Sequence, residues 1–194
     1  MKTQLDRNLW KKHSILAGVD EAGRGPLAGP VVASAVILPT NYFHPEINDS
    51  KKLSAKKREN LYTVITHIAV SYAFGIIEHT VIDSINILNA TKKAMHIAIQ
   101  GLEKKPDLVL IDALHLEELT YAQMPIIRGD SLSISIAAAS ILAKVKRDRI
   151  MTDYHSQYPE YGFHKHKGYP TKGHRARIKE YGPCPIHRKT FHLI

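Results

Sequence analysis

Short apolar runs bounded by turn-forming residues recur along this chain of 194 residues. Residues 15–20 (ILAGVD) and 31–38 (VVASAVIL) are two such runs, and the Gly- and Pro-rich stretch 22–30 separates them. Runs of this length, flanked by glycine and proline, are typical of β-strands. Residues 108–111 (LVLI) are apolar throughout, which predicts a strand buried on both faces of a sheet.

Helical patterns follow the first two predicted strands. Residues 54–68, 89–102 and 131–151 have the patterns of helices. Thr80 with Asp83 matches a capping box for a further short helix. Strands therefore come first as a hairpin-like set and later alternate with helices, an order that predicts a mixed α/β sheet covered by helices.

Positive charge is concentrated towards the C-terminal end. The chain has 27 Lys and Arg against 18 Asp and Glu, a formal net charge of +9, and residues 144–194 contribute +8 of this total. Such a balance indicates a polyanionic partner, most often nucleic acid. We expect residues 1–150 to form a core and residues 151–194 to form a basic helical and loop extension packed on it, as one functional unit.

The sequence lacks the marks of a secreted or membrane protein. Cys184 is the single cysteine, so neither a disulfide within the chain nor a Cys-based zinc site can form. No apolar run approaches the roughly 20 residues of a membrane span, and the N-terminal residues have no apolar signal region. We therefore expect a cytoplasmic protein that does not contact membranes.

Acidic residues follow the predicted strands where those strands end. Asp20 and Asp112 end two apolar runs, Asp130 comes just after a third, and Glu21 follows Asp20 directly. A single such Asp is often a turn former or a helix N-cap, and Asp130 suits an N-cap. Several carboxylates converging at strand ends would instead need a cation. Hard oxygen ligands suit Mg²⁺ or Mn²⁺, and two such ions roughly 4 Å apart can cleave a phosphodiester.

The turn after the first strand contains Gly23, Arg24 and Gly25. Dinucleotide and phosphate-binding loops require a helix next, whereas a second strand follows here. Two interpretations remain: a tight hairpin that uses glycine for positive φ, or a bare backbone that a sugar or phosphate approaches closely. In the second interpretation Arg24 adds a hydrogen-bond donor beside the metal site.

Residues 17–30 (AGVDEAGRGPLAGP) resemble the N-terminal signature of the ribonuclease HII family. Further stretches agree with that family in order and rough spacing, and the similarity extends over about residues 15–192. The matching stretches are residues 48–54, 89–95, 110–112, 129–131, 137–149, 163–172 and 185–191.

The resemblance implies a fold and an activity. The fold is a ribonuclease H-like mixed five-stranded sheet flanked by helices, with a small C-terminal basic helical extension. The activity is a metal-dependent endoribonuclease that hydrolyses the RNA strand of RNA–DNA hybrids. It also incises duplex DNA 5′ to single embedded ribonucleotides, as in ribonucleotide excision repair, and leaves 3′-hydroxyl and 5′-phosphate ends. We expect two divalent ions, Mn²⁺ or Mg²⁺, and a monomer.

The resemblance also assigns roles to individual residues. The metal-binding and catalytic acids of the family fall on Asp20, Glu21, Asp112 and Asp130. Substrate binding falls on a second set, in which the Gly-Arg-Gly tripeptide reads the ribonucleotide 2′-hydroxyl and the tyrosine packs on the sugar at the RNA–DNA junction. That set comprises Gly23, Arg24, Gly25, Asn48, Ser50, Lys51 and Tyr169.

One departure from the family pattern lies beside the third acid. The family often has glycine after that Asp, whereas Ala113 follows Asp112 here. We expect a slightly different turn and intact chemistry, because the acid itself is kept.

Two other functions are compatible with parts of the pattern. The basic segment alone would suit a nucleic-acid-binding module without catalysis, whose function would not respond to a metal chelator. The acids would also suit another nuclease of the same fold, such as a junction resolvase, whose substrate is all DNA. A duplex with one ribonucleotide distinguishes these possibilities. His164 and His166 have no third His or Cys placed to complete a zinc site, so phosphate contact or solvation is the expectation for them.

Overall fold

The computed structural model describes residues 3–47, 50 and 53–194. Its centre is a five-stranded sheet in the order β3-β2-β1-β4-β5. The strands are β1 (Leu16–Ala22), β2 (Val31–Ile37), β3 (Ser71–Ile77), β4 (Leu108–Asp112) and β5 (Gln123–Ile126). The helices are α1 (Thr3–Trp10), α2 (Ala55–Ile68), α3 (His79–Gln100), α4 (Gly129–Leu132), α5 (Ile134–Gln157), α6 (Phe163–His166) and α7 (Lys172–Tyr181), with a 3₁₀ turn at Pro159–Tyr161.

The sheet is mixed, as the sequence predicts. Strand β1 pairs antiparallel with β2, and β2 pairs antiparallel with β3. Strands β1, β4 and β5 are parallel to one another. The carboxyl ends of β1 and β4 therefore lie at the same edge of the sheet.

Helices cover both faces of the sheet. Successive strand residues point to opposite faces, so Leu16 packs with residues of α5 and Ala17 packs with residues of α3. Two glycines allow the helices to come close. A Cβ on Gly18 would collide with the backbone of Ser135 in α5, and a Cβ on Gly75 would collide with the backbone of Ala94 in α3.

The C-terminal residues pack against the turn between β1 and β2. Leu27 and Ala28 of that turn share a buried cluster with Phe163, Ile178 and Ile186. Helix α5 runs through residue 150, from the sheet to this cluster. The division of the chain at residue 150 stays a prediction.

Two local expectations are wrong. The long helix begins at Ile134 rather than at residue 131, because Ser133 is its N-cap and accepts a hydrogen bond from the Ile136 N–H. The capping box at Thr80 does not form, because Glu78 is the N-cap of α3. The carboxylate of Asp83 instead accepts hydrogen bonds from the main chain near the C-terminus. No helix in the described ranges combines the length and the apolarity needed to cross a membrane.

Candidate active site

The ends of β1 and β4 bring two of the predicted acids side by side. Val19 is paired with Ile111 in the parallel register, so Asp20 and Asp112 follow at equivalent positions on neighbouring strands. Glu21 is the next residue of β1. The sheet therefore gathers three of the four predicted carboxylates at one edge.

Burial and neighbouring negative charge destabilise the charged forms of Asp20 and Glu21. Asp20 is only 5% exposed, and its burial raises its pKa well above the ordinary value, with further increases from the charges of Glu21 and Asp112. Burial also raises the pKa of Glu21, and Asp112 adds to the increase, although Arg24 opposes it. Buried, mutually repelling carboxylates are costly without a compensating cation.

A chain of hydroxyl groups supports Asp20 from inside. The Asp20 carboxylate accepts hydrogen bonds from the Ser140 side chain and from the Glu21 N–H, which is 2.7 Å from Oδ1. The Ser140 Oγ lies 2.9 Å from the Ser50 Oγ, and Ser50 is buried. Ser50 thus lies behind the acids. Ser140 was not singled out from the sequence, since an apolar helix gives no local sign of which serine faces a carboxylate.

The fourth acid directly follows the residue that hydrogen-bonds to Asp112. The N–H of Gly129 donates to Asp112 Oδ1 over 2.7 Å, which ties α4 to the end of β4. Asp130 is the next residue, 8% exposed, in the first turn of α4. It is not the N-cap, because Arg128 takes that position. Asn48 and Lys51, two further predicted substrate contacts, lie outside the described residues.

The donor set fits a hard divalent cation. Its potential ligands are carboxylate oxygens, which Mg²⁺ and Mn²⁺ prefer. Within the described ranges, no three His, Cys, Asp or Glu side chains are grouped closely enough to hold a metal ion alone. Mg²⁺ typically keeps several waters and takes one or two carboxylates plus substrate phosphates, so an incomplete protein cage is compatible with it.

The Gly-rich turn, defined as residues 23–30, begins directly beside the acids. Arg24 reaches back to Glu21, with 3.4 Å between its Nη1 and Oε1. Gly23 has φ 104°, a conformation that favours glycine, and a Cβ there would collide with the side chain of Arg147. A Cβ on Gly25 would lie 3.8 Å from Cε1 of Tyr169. The structure therefore brings the Gly-Arg-Gly tripeptide and Tyr169 together, although 144 residues separate Gly25 from Tyr169 in the chain.

Tyr169 is partly exposed and lies close to two cationic side chains of α5. Its side chain is among the exposed large groups, at 38%. The Lys144 Nζ lies 5.4 Å from its ring centroid and the Arg147 Cζ lies 5.8 Å from it. Cations at this distance from an aromatic face are attracted to it. The ring thus stands between the Gly-rich turn and α5.

Two buried arginines hold the Gly-rich turn from inside. Arg147 and Arg188 are both fully buried. Their guanidinium groups donate to main-chain carbonyls of the turn, and Arg147 also donates to the carbonyl of Lys167. The sequence places both in the basic segment, where cations are expected on the surface. Their role is visible only from long-range contacts.

Comparisons with known proteins agree with this architecture. The ribonuclease HII family model matches residues 17–194. The ribonuclease HII of Caldanaerobacter subterraneus subsp. tengcongensis is 60% identical over 178 residues, 92% of this chain and 74% of the relative. The solved ribonuclease H2 from Pyrococcus horikoshii OT3 is similar with a TM-score of 0.76 and 28% identity, over 92% of this chain and 94% of that one. Bst-RNase HIII in complex with Mn²⁺ shares the fold at a TM-score of 0.64 and 16% identity, over 87% and 63% of the two chains.

The fold and these relatives define a nuclease of the ribonuclease H type. Within that class, the chain belongs to the ribonuclease HII family and is an endoribonuclease. The fold class predicted from the sequence is confirmed. The roles of individual site residues stay predictions.

Proposed function

We propose that this endoribonuclease hydrolyses the RNA strand of RNA–DNA hybrids and incises duplex DNA 5′ to single embedded ribonucleotides. Cleavage leaves 3′-hydroxyl and 5′-phosphate ends and depends on two divalent ions. The observation that carries the proposal is the set of three carboxylates at neighbouring strand ends, where the charge of Asp112 raises the pKa of both Asp20 and Glu21. Next to them lies a Gly-Arg-Gly turn that is close to Tyr169.

The metal ligands in this proposal are Asp20, Glu21, Asp112 and Asp130. When bound, the divalent ions supply charge compensation and activation of the attacking water. The preference for oxygen ligands admits both Mn²⁺ and Mg²⁺. Mn²⁺ is bound in the solved Bst-RNase HIII, which makes both ions worth testing here.

The chain's own residues orient the substrate. Arg24 and the bare backbone of Gly23 and Gly25 approach the ribose, where a 2′-hydroxyl distinguishes RNA from DNA. The exposed face of Tyr169 packs on the adjacent sugar. Asn48, Ser50 and Lys51 are proposed to hold the backbone. Because Ser50 is buried against Ser140, its own contribution would come through its main chain or through support of Asp20.

The partner in this proposal is a hybrid or a ribonucleotide-containing duplex, bound by a monomer. The exposed Lys and Arg of residues 144–194 would neutralise phosphates of the duplex. The acidic edge of the sheet would meet the scissile phosphate. Binding of the duplex backbone and cleavage of the phosphodiester are thereby assigned to different parts of the molecule.

Cleavage of a labelled DNA duplex with one ribonucleotide tests the proposal, with Mg²⁺, with Mn²⁺ and with chelator. Asp20→Asn and Asp130→Asn are expected to lower the cleavage rate by roughly a hundredfold or more while the duplex still binds, since metal ions supply several kcal/mol at the transition state. Asp153→Asn, an exposed acid of α5, is the matched control and should cleave normally. Full activity of either site variant, or cleavage in chelator, would contradict the proposal. Cutting of an all-DNA junction instead would favour a resolvase.

The tyrosine is tested with a pair of variants on the same duplex. Tyr169→Ala removes the ring and is expected to slow incision about tenfold, because stacking contributes roughly 1–3 kcal/mol. Tyr169→Phe keeps the ring and should retain most of the rate. An unchanged rate in Tyr169→Ala removes this role from Tyr169.

A further inference from the structure

Arg188 is connected to the Gly-rich turn by an unusual number of hydrogen bonds. Its Nε donates to the Gly29 carbonyl over 3.0 Å, and its Nη1 donates to the Arg24 carbonyl over 3.1 Å. Its Nη2 donates to the carbonyls of Gly23, over 2.6 Å, and Pro30, over 3.2 Å. One buried side chain therefore fixes four carbonyls in a turn of eight residues.

A second buried arginine extends this arrangement towards Tyr169. Arg147 donates to the carbonyls of Ala28 and Pro30 and, with Nη1, to the Lys167 carbonyl over 2.9 Å. The Leu27 N–H donates to the Gly168 carbonyl over 2.8 Å. The turn and the segment that leads into Tyr169 are thus held at a fixed distance from each other.

Two buried cations near each other carry an electrostatic cost. Burial lowers the pKa of Arg147 to about 10, and burial together with the charge of Arg147 lowers the pKa of Arg188 to about 9. Within the described part of the chain, all seven hydrogen bonds of the two guanidinium groups go to main-chain carbonyls. An arrangement this costly is not needed for packing alone, since apolar side chains of similar volume fill such sites at lower cost.

The direction of the carbonyls determines where the neighbouring N–H groups point. In a trans peptide the C=O of one residue and the N–H of the next point in opposite directions. Arg188 draws the carbonyls of Gly23 and Arg24 inward, so the N–H groups of Arg24 and Gly25 point away from it. Arg24 and Gly25 are both exposed, and neither N–H donates to another residue in the described ranges.

We propose that Arg188 is a positioning residue for ribonucleotide recognition. By holding the carbonyls of Gly23 and Arg24 from inside, it presents the N–H groups of Arg24 and Gly25, beside Tyr169, to the sugar of a ribonucleotide. Arg147 sets the distance between these N–H groups and the Tyr169 ring. The inference rests on the proposed function and adds the residue on which its selectivity for ribonucleotides depends.

The variant Arg188→Lys tests this inference, with Arg175→Lys as the matched control. Lysine keeps the charge and the aliphatic stem, but one nitrogen cannot span four carbonyls. Arg175 also donates to main-chain carbonyls, those of His192 and Leu193, and both of these lie outside the Gly-rich turn. Binding is measured with Ca²⁺ in place of the catalytic ion, to a DNA duplex with one ribonucleotide and to the same duplex without it.

We expect Arg188→Lys to reduce the preference for the ribonucleotide duplex about tenfold, the effect of losing one charged hydrogen bond. Affinity for the all-DNA duplex should stay within about twofold, since phosphate contacts elsewhere are unchanged. Arg175→Lys should keep the preference. A wild-type preference in Arg188→Lys, or equal losses in both variants, would overturn the inference.

A direct measurement on the wild-type protein covers the case in which Arg188→Lys does not fold. The amide NMR signals of Arg24 and Gly25 should shift on titration with the ribonucleotide duplex and not with the all-DNA duplex. Equal shifts with both duplexes would overturn the inference. If the wild-type protein cleaves neither a hybrid nor the ribonucleotide duplex, the proposed function itself is contradicted. The amide shifts report binding rather than cleavage, so they distinguish that result from a failure of the inference.

Discussion

Ala113 has a backbone conformation that alanine rarely adopts. It directly follows Asp112, and its φ of 55° lies in the left-handed region. An L-residue with a Cβ loses roughly 1–2 kcal/mol in this region, whereas glycine does not. The glycine expected at this position from the family resemblance would avoid this cost, whereas the alanine here leaves the turn under strain.

Ala113→Gly is therefore expected to stabilise the protein. The free energy of unfolding should rise by up to about 1 kcal/mol, because relief of the left-handed strain outweighs the larger entropy of glycine in the unfolded chain. Urea unfolding followed by circular dichroism measures the difference. Ala176→Gly, at an exposed position inside α7, is the control and should lose about 1 kcal/mol. A loss of stability in Ala113→Gly would show that the conformation carries no strain.

Among single residues, the sequence predicts the candidate metal-binding acids better than the residues that hold the site in place. Asp20 and Asp112 follow apolar runs, and the end of a strand is a local property that sequence patterns reveal. Ser140 and Arg188 have no such local pattern. Ser140 contacts Ser50, 90 residues away, and Arg188 contacts Gly23, 165 residues away. Long-range contacts of this kind follow from the three-dimensional packing and are not encoded in residue spacing.

Among the elements, helix α1 has a structural role that the N-terminal sequence does not suggest. Its Asp6 is fully buried and lies at the N-terminus of α5. The carboxylate accepts hydrogen bonds from the hydroxyls of Ser133 and Ser135 and from the N–H groups of Ile134 and Ser135. A helix N-terminus has unpaired N–H groups and a favourable field for an anion. An acid from another helix thus caps the element that carries Ser140.

Asp6→Ala is expected to lower the free energy of unfolding by about 2 kcal/mol, since it leaves buried donors without an acceptor. Thermal and urea unfolding provide the measurement. The control is Asp153→Ala on the exposed face of α5, which should change stability by less than about 0.5 kcal/mol. If both variants are equally stable, Asp6 does not cap the helix.

Element boundaries show where local patterns are overridden. Ser54, the first residue of the helix predicted over 54–68, caps α2 by accepting from the Lys57 N–H. The pattern at Thr80 fails, because the Asp83 carboxylate is bound by the Lys189 and Thr190 N–H groups. A capping signature needs a side chain free to turn back on its own helix. The Asp83 carboxylate is instead bound by the distant C-terminal segment, so it is not available to cap its own helix.

Across the whole molecule, the charge count overstates the cations available to a duplex. Arg147 and Arg188 are buried, and Lys144 pairs with Asp148 over 2.8 Å. The +8 of residues 144–194 therefore includes charges used to hold the fold together. Sequence composition correctly indicates a polyanion as the partner, but the division between surface and interior cations depends on packing.

A chain of neutral histidines connects the C-terminal segment to Tyr169. The His174 Nδ1 lies 3.0 Å from the Tyr169 carbonyl oxygen, so it donates, and its Nε2 accepts from the His187 Nε2 over 3.1 Å. The His187 Nδ1 accepts from the Cys184 N–H over 3.0 Å. His166 stacks on His174 with ring centroids 4.2 Å apart. This pattern of donors and acceptors requires neutral rings. In His166 the Nδ1 accepts from the Gly168 N–H and the Nε2 donates to the Tyr161 carbonyl, so both of its ring nitrogens are engaged within the fold.

Acid is therefore expected to destabilise the protein through these rings. Burial lowers the pKa of His174 from 6.5 to about 4, and burial also lowers the pKa values of His166 and His187. Between pH 6.5 and 4 the unfolded chain binds protons that the folded chain does not, so the free energy of unfolding falls as the pH falls. The loss begins below the unfolded-state pKa and levels off below the folded-state pKa.

The contribution of His174 can be isolated by comparing variants across this pH range. In His174→Gln, urea unfolding at pH 7, 5.5 and 4.5 should show a pH dependence reduced by about one proton, because the substituted side chain does not titrate. His115→Gln, at an exposed position, serves as the control and should keep the wild-type pH dependence. Carboxylates contribute equally to all three proteins, so the difference reports the histidine. An identical slope in wild type and His174→Gln would mean that the folded protein accepts the proton, and that the neutral histidine chain is not what holds the Tyr169 carbonyl.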